Sequence, residues 1–253
     1  MVTGHVELFA GPLYVAAMAT YVLVHGGGHG GWCYQRVGRL LEAEGHTVYS
    51  PSLTGSGDRA HLMGPDVDLE MHVTEVANLL FFEDLRDVVL VGHSIGGMVA
   101  RGAADRAGER VGKLVYLDSP QGRTAAEALP FDVRAGSEMI DGVELILLPS
   151  EELLGFFGVT DPDDVAWALP RLTPHAWRCF DQPLALTDER ALAAIPRYLV
   201  VATDSIGLGV HPEQLLTEAR SEGRLWEIEG GHDLMVTAPA AVAESLVQIA
   251  ADR

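Results

Sequence analysis

Residues 92–96, with the sequence Gly-His-Ser-Ile-Gly, have the spacing that places a serine nucleophile at a sharp turn between a strand and a helix. The two glycines allow that turn without side-chain clashes. An apolar run at residues 88–91 precedes the motif and a helical pattern at residues 97–107 follows it, as the motif requires. This segment therefore predicts that Ser94 is the nucleophile of a covalent catalyst.

A serine of ordinary acidity is a poor nucleophile and needs a base within hydrogen-bonding reach. His232 follows two glycines and lies between the strand-like residues 224–228 and the helical pattern of residues 238–251. A histidine that comes late in the chain, after the serine, is expected for this type of turn. We therefore predict that His232 is the general base. Four further histidines are candidates for the lining of a pocket: His29, His61, His93 and His175.

A second glycine-rich segment, residues 25–28 with the sequence His-Gly-Gly-Gly, directly follows a strand-like run. Acyl transfer needs backbone N–H groups that point at the oxyanion of the tetrahedral intermediate, and glycines let the backbone approach it. We predict that the amides of Gly27 and Ile95 form this oxyanion hole. A phosphate-binding loop is the alternative, but the segment lacks the spacing of the dinucleotide motif and the lysine of the P-loop.

The elements that must position these residues alternate along the chain. Six strand-like runs, separated by helical patterns, lie at residues 21–24, 46–50, 88–91, 113–117, 198–202 and 224–228. Such alternation predicts an α/β fold with a mostly parallel sheet that helices cover on both sides. Residues 123–188 interrupt the alternation and have a helical composition, so we predict a small helical cap inserted between the core segments 18–122 and 189–253.

The composition limits the class of ligand. The chain has 253 residues and a formal net charge of −19, which argues against binding to nucleic acid or to an anionic membrane surface. A small-molecule substrate is therefore expected, and a homodimer stays open. Cys33 and Cys179 are too few for a disulfide framework and are predicted to be buried side chains.

The N-terminal residues resemble an export signal only superficially. Residues 6–19 are mostly apolar, but no lysine or arginine precedes them and Gly11-Pro12 interrupts them. We therefore predict a cytoplasmic protein. Met18 directly precedes the first strand-like run, so residues 1–17 are expected to lie outside the core and to be dispensable.

Three segments together resemble one enzyme family: residues 25–33 (His-Gly-Gly-Gly-His-Gly-Gly-Trp-Cys), 92–97 (Gly-His-Ser-Ile-Gly-Gly) and 231–235 (Gly-His-Asp-Leu-Met). They are similar to the α/β-hydrolase family, in the branch that contains plant methyl-salicylate esterases and hydroxynitrile lyases. Residues 53–62, 115–118 and 172–175 resemble bacterial hydrolases of that branch. The resemblance runs from about Met18 to the C-terminus. It implies the α/β-hydrolase fold with an eight-stranded sheet, a helical cap and a serine triad without metal or organic cofactor.

The resemblance leaves two candidates for the acid that must orient His232. The plant relatives carry this acid after the strand at residues 198–202, where Asp204 stands about one residue out of register. Other α/β-hydrolases, such as haloalkane dehalogenases, carry it after the strand that follows the nucleophile helix. Asp118 has that position, at the carboxyl edge of the predicted sheet. We favour Asp118 and keep Asp204 as the alternative.

These residues predict a serine-dependent carboxylic ester hydrolase that works through an acyl-enzyme, with lactones and thioesters as possible substrates of the same chemistry. A lyase or a low-turnover binding protein on the same scaffold is the alternative. In the lyases that the chain resembles, a threonine follows the first histidine of the oxyanion motif and a lysine follows the catalytic histidine. Gly26 and Asp233 occupy these positions here, which disfavours the lyase.

The substrate is expected to be a small, neutral and fairly apolar ester. The predicted cap has no basic cluster that would pair with a carboxylate or a phosphate. It instead offers apolar and aromatic side chains, some for the core and some for a pocket. These are Leu153, Leu154, Phe156, Phe157, Trp167, Trp177 and Phe180.

Overall fold

A computed structural model of the chain describes residues 18–252, so the predicted N-terminal extension lies outside the described residues. The strands, in chain order, are β1 Thr20–Val24, β2 Thr47–Tyr49, β3 Val88–His93, β4 Val111–Leu117, β5 Glu138–Ile140, β6 Val143–Ile146, β7 His175–Ala176, β8 Arg197–Ala202 and β9 Leu225–Ile228. The helices are α1 Gln35–Ala43, α2 Leu69–Phe82, α3 Gly96–Arg106, α4 Ala125–Ala128, α5 Glu151–Phe156, α6 Pro162–Ala168, α7 Trp177–Asp181, α8 Glu189–Ala193, α9 Thr203–Gly207, α10 Glu213–Ser221, α11 Leu234–Thr237 and α12 Pro239–Ala251.

Six of the strands form one parallel sheet in the order β2-β1-β3-β4-β8-β9. They coincide with the six strand-like runs of the sequence, so the predicted α/β architecture is confirmed. The expectation of eight strands, which came from the family resemblance, is wrong for the described residues. The reason is that the three remaining strands, β5, β6 and β7, pair with one another in a separate antiparallel sheet and do not extend the parallel one.

Helices cover both faces of this sheet, as the alternation of elements predicts. Val22 and Val24 of β1 share a core with buried side chains of α2 and α3. Tyr21 and Leu23, which point to the other face, share a second core with α1 and α12. Because successive side chains of a strand alternate between its faces, each central strand contributes to both cores. The carboxyl ends of the strands are thereby held rigidly at one edge.

The segment between β4 and β8 is not purely helical, which corrects the prediction of a helical cap. Besides short helices it contains a three-stranded antiparallel sheet in the order β5-β6-β7. Ile140 pairs with Val143, so Asp141 and Gly142 form a two-residue hairpin turn. Both have positive φ, 49° and 80°, as the tight hairpin turn requires.

The remaining sequence-based expectations concern cysteines and membranes. Cys33 and Cys179 are both buried and unpaired, as predicted. Among residues 18–252, no helix has the length and apolar character needed to cross a membrane.

Candidate active site

Ser94 stands at the turn between β3 and α3, in the left-handed region of backbone conformation with a φ of 52°. A Cβ at Gly92 would clash with the backbone of Gly96, so the turn requires glycine at residue 92, and a Cβ at Gly96 would clash with the backbone of Val24 and His25. The amide of Ser94 donates to the carbonyl of Leu117 on the neighbouring strand at 3.2 Å. The strained serine is therefore fixed to the carboxyl edge of the sheet, with its side chain half-buried.

The imidazole of His232 is held by Asp118. The Nδ1 atom of His232 lies 2.6 Å from the Oδ2 atom of Asp118, which follows the end of β4 and is fully buried. Because the carboxylate accepts the proton on Nδ1, the Nε2 atom is left as the base. Ser94 and His232 line the same cavity.

Three further donors surround the carboxylate of Asp118. Oδ1 accepts from the amide of Ala202 and from Nε2 of His211, both at 2.9 Å. Oδ2 accepts from the hydroxyl of Ser205 at 2.5 Å in addition to His232. With its four lone-pair positions occupied, the carboxylate has one orientation.

This hydrogen bonding decides the charges of the pair. Burial by itself raises the pKa of Asp118, but the hydrogen bonds and charges of His211 and His232 lower it far below its ordinary value. Burial likewise lowers the pKa of His232, yet the hydrogen bond and charge of Asp118 outweigh it and raise the pKa above 6.5. The aspartate is therefore ionised throughout the neutral range, where it stabilises the imidazolium that a base forms.

Asp204, the alternative acid, lies elsewhere. It is exposed in the first turn of α9, and no hydrogen bond joins its side chain to His232. Its amide instead donates to the carbonyl of Gly230 at 3.2 Å. Of the two candidates, the structure brings only Asp118 to the histidine.

The predicted oxyanion donors are free to bind a ligand. Within the described part of the chain, the amides of Gly27 and Ile95 donate no hydrogen bond. Gly27 also lies on the wall of the cavity that Ser94 lines. A Cβ on Gly27 would lie 2.7 Å from Cδ1 of Leu147 and 3.0 Å from Cζ of Phe180, so a larger residue here would displace these two side chains of the cavity wall.

A buried ion pair connects the oxyanion loop to the loop of the base. Nε2 of His29 lies 3.0 Å from Oδ2 of Asp233, and its Nδ1 lies 2.8 Å from the carbonyl of Gly27. Burial disfavours charge on both partners, but their attraction raises the pKa of His29 and lowers that of Asp233. The carbonyl of Gly27 and the carboxylate of Asp233 thus both accept from a protonated imidazole, which connects the two loops.

His93, which directly precedes Ser94, contacts the loop that carries His232. Its Nε2 donates to the carbonyl of His232 at 3.0 Å. Burial, together with the positive charge of His232, lowers the pKa of His93 to about 3, so this imidazole is neutral. It therefore orients the loop of His232 without adding a charge to the site.

The cavity at Ser94 has a volume of about 1060 Å³ and lies between the sheet edge and the segment that follows β4. Four of the predicted cap side chains line it: Leu153, Phe156, Phe157 and Phe180. The others pack elsewhere, since Leu154 is in the core, Trp167 contacts Trp32 edge to face and Trp177 lies under Arg134. None of the four histidines proposed for the pocket lines it, because His61 is exposed and His29, His93 and His175 are buried.

Ser205 and His211 were not identified from the sequence. Both belong to the region after β8, and nothing in their spacing relates them to a carboxylate 87 or 93 positions earlier. A buried histidine next to Pro212 carries no motif of its own. Their role follows only from the parallel pairing of β4 with β8, which brings Asp118 to the start of α9.

Comparison with known proteins finds relatives along the whole folded region. The sequence profile of the family described as "Alpha/beta hydrolase family" matches residues 21–245. The chain is 36% identical over 251 residues to the carbendazim hydrolyzing esterase of Nocardioides sp. (strain SG-4G), covering 92% of this chain and 100% of that protein. It is 28% identical over 255 residues to methylesterase 9 of Arabidopsis thaliana, covering 92% and 98%. The crystal structure of a methylesterase from Arabidopsis has the same fold, with a TM-score of 0.72 at 23% identity over 92% of this chain and 98% of that chain.

Proposed function

The chain belongs to the α/β-hydrolase family, as its motifs predicted, and on this premise we propose that it hydrolyses carboxylic esters through an acyl-enzyme on Ser94. The assignment as a carboxylic ester hydrolase agrees with its relatives, which are esterases by name. The observation that carries the serine mechanism is the strained turn of Ser94, in one cavity with a histidine that a buried aspartate orients.

In this mechanism Nε2 of His232 takes the proton of the Ser94 hydroxyl as its oxygen attacks the ester carbonyl. The amides of Gly27 and Ile95 stabilise the negative charge of the tetrahedral intermediate, and Asp118 stabilises the imidazolium. His232 then gives the proton to the departing alcohol, which leaves the acyl group on Ser94. Water, deprotonated by the same histidine, releases the acid and restores the serine.

The substrate we propose is a small, neutral and fairly apolar ester, with an aromatic acid part. Phe156, Phe157 and Phe180 line the cavity, and no lysine or arginine is among its lining residues. Ring stacking and apolar contact favour such a group, whereas an anionic substrate would find no partner. Because relatives are a carbendazim hydrolyzing esterase and methylesterases, carbendazim and methyl esters of aromatic acids are the first compounds to assay. Lactones and thioesters follow.

The residue after His232 disfavours the lyase alternative. The position of the lysine in the resembled lyases carries Asp233, which is fully buried and paired with His29. This side chain offers no positive charge to a departing cyanide.

The test compares Ser94→Ala with Ser150→Ala, since Ser150 is another serine of the cavity wall. We expect Ser94→Ala to lower kcat by about 10³-fold or more and to abolish labelling by a fluorophosphonate. Ser150→Ala should keep the kcat and the fluorophosphonate labelling of the wild type. Because Ser150 caps the N-terminus of α5, this variant should lose up to about 2 kcal/mol in the free energy of unfolding. Labelling at another serine, or retention of more than about one-tenth of kcat in Ser94→Ala, would overturn the proposal.

A further inference from the structure

A second group of reactive side chains lies outside the catalytic site, at the junction of the core and the segment after β4. His72 belongs to the core helix α2, whereas His175 belongs to β7 and Cys179 to α7. All three are buried, and one ring nitrogen of each histidine and Sγ of Cys179 lie within 4.8 Å of one another. The mechanism proposed above uses none of them.

The hydrogen bonds of His72 fix which nitrogen is available. Its Nε2 lies 2.9 Å from the carbonyl of Thr54, which can only accept, so the proton is on Nε2. Nδ1 therefore keeps its lone pair and faces Sγ of Cys179 at 3.8 Å. A histidine that donates one N–H to a backbone carbonyl and turns the other nitrogen toward a thiol has the arrangement of a metal ligand.

Among residues 18–252, neither ring nitrogen of His175 has a hydrogen-bond partner, although His175 is only 2% exposed. A buried polar atom without a partner costs about 1–3 kcal/mol, so such atoms are rare in folded proteins.

We propose that His72, His175 and Cys179 bind one Zn²⁺ ion that fastens the cap to helix α2. Zinc prefers imidazole nitrogen and thiolate sulfur, at about 2.0–2.1 Å and 2.3 Å, and tetrahedral angles then separate N and S by about 3.5 Å. The 3.8 Å between Nδ1 of His72 and Sγ of Cys179 needs only a small contraction, whereas the separations from His175, within 4.8 Å, need a shift of up to about 1.3 Å. On binding, the thiol of Cys179 releases its proton to solvent and its sulfur bonds to the zinc, with water as the fourth ligand.

This ion departs from the expectation, based on the family resemblance, that no metal is bound. It would take no part in the chemistry at Ser94, but it would act on the cap. Phe180, next to Cys179, lines the catalytic cavity, and β7 pairs with β6 directly before Leu147 of its wall. Fixing His175 and Cys179 to α2 would therefore hold this wall in place.

Cobalt is the probe that identifies the ligands, since a Co²⁺–thiolate bond gives a charge-transfer absorption band in the near ultraviolet. The protein, reduced with a phosphine, is loaded with Co²⁺ or Zn²⁺ during production or refolding, because the group is buried. We expect one equivalent of metal per chain, the thiolate band with cobalt, and a higher melting temperature with zinc. A second group of candidate ligands, His93, His232 and Asp233, contains no sulfur, so cobalt there gives no such band.

Cys179→Ser should remove the cobalt–thiolate band, and His175→Gln should weaken metal binding at least about tenfold. Cys33→Ser, which changes the other buried cysteine, is the control and should leave both the band and the metal affinity unchanged. The wild-type spectrum decides the question even if a variant fails to fold. A wild-type protein without the thiolate band after loading would overturn the proposal. So would a band that survives in Cys179→Ser or disappears in Cys33→Ser, or full affinity in His175→Gln.

Discussion

At the scale of single residues, the carboxylate of Asp118 is the most constrained group of the site. It accepts from Ala202, Ser205, His211 and His232. Its own backbone has a φ of 44°, an unusual value for a non-glycine residue. Such strain persists only where the surroundings fix the residue, and here these donors do so. The side chain is thereby held in one orientation, in which Oδ2 lies 2.6 Å from Nδ1 of His232.

The first prediction separates the two candidate acids. Asp118→Asn should lower kcat by up to about 10⁴-fold, because the amide favours the wrong tautomer of His232. Asp204→Asn, at an exposed position of the same cavity, should change kcat only slightly. Steady-state kinetics of both variants on one ester is the measurement, and a large loss in Asp204→Asn alone would transfer the role to Asp204.

The pH dependence gives a second readout of the same pair. His232 must be neutral to act as base, and Asp118 raises its pKa above 6.5. In the wild type, kcat/KM should therefore rise with pH and reach half its maximum above pH 6.5. In Asp118→Asn the residual kcat/KM should reach half its maximum at a lower pH than in the wild type, because the negative charge that raises the pKa of His232 is absent. An unchanged midpoint would contradict the assignment.

A further prediction concerns His211, which we regard as a positioning residue. His211→Gln keeps an N–H donor at similar reach, whereas His211→Met fills a similar volume without one. We expect the methionine variant to lower kcat about tenfold, or about 1.4 kcal/mol, with little change in KM, and glutamine to restore most of it. In the methionine variant, the pH at which kcat/KM reaches half its maximum should also be higher. Without the hydrogen bond from His211, the negative charge of Asp118 interacts more strongly with His232 and raises the pKa of His232 further. Equal losses in both variants without a shift would indicate packing alone.

At the scale of elements, the loop that carries His232 is positioned by the segment after α5. The amide of Asp233 donates to the carbonyl of Phe157 at 3.0 Å. A Cβ on Gly231 would lie 2.6 Å from the Cα atom of Gly158, so the two backbones touch where both residues are glycine. The cap thus positions the loop that carries His232, the proposed base, besides lining the cavity.

Gly231→Ala should therefore push the loop away from the cap and displace His232. A displacement of about 1 Å can cost about 10²-fold in rate, so we expect kcat to fall between about tenfold and 10²-fold. Gly155→Ala is the matched control, because its Cβ would meet nothing within 4 Å and it lies inside α5. That variant should keep its activity and gain up to about 1 kcal/mol in the free energy of unfolding. Wild-type kcat in Gly231→Ala would show that this contact does not position the base.

At the scale of the whole molecule, electrostatics should select substrates by charge. The chain has a net charge of −19, and Asp132, Glu152 and Asp204 line the catalytic cavity without a lysine or arginine. Each exposed carboxylate has a modest effect, but charges of one sign in a cleft add to a common field. Anionic esters should therefore be disfavoured both in approach and in binding.

Three methyl arylacetates of similar shape test this selection, with a tert-butyl, a trimethylammonium or a sulfonate group on the ring. After correction for their rates with hydroxide, we expect kcat/KM for the sulfonate to be about tenfold lower than for the neutral ester, a difference of about 1.4 kcal/mol. The cationic ester should equal or exceed the neutral one. Added salt and Asp204→Asn should both narrow the difference. A sulfonate ester that reacts as fast as its neutral analogue would contradict the prediction.

The sequence by itself determined those features that depend only on residues close to one another in the chain. The turn at Ser94 is predictable because its glycines and its flanking strand and helix are contiguous, and the six strands of the sheet follow from local apolar runs. The hairpin at Asp141-Gly142 carries an equally local signal, which the helical composition of its surroundings masked. The prediction of eight strands, which came from the family resemblance, was wrong, whereas the six strands predicted from the residues themselves were correct.

Only the tertiary structure decided which side chains meet across the sheet edge. Asp118 and Asp204 each follow a strand of the parallel sheet. The sequence alone does not show which of the two side chains points toward His232. The pairing of β4 with β8 aims Asp118 at His232 and at His211, while α9 begins with Asp204 exposed. His72 and Cys179 likewise meet across 107 positions. Such contacts depend on strand order and helix packing over the whole molecule, and no local pattern of residue types encodes the distance between two positions so far apart in the chain.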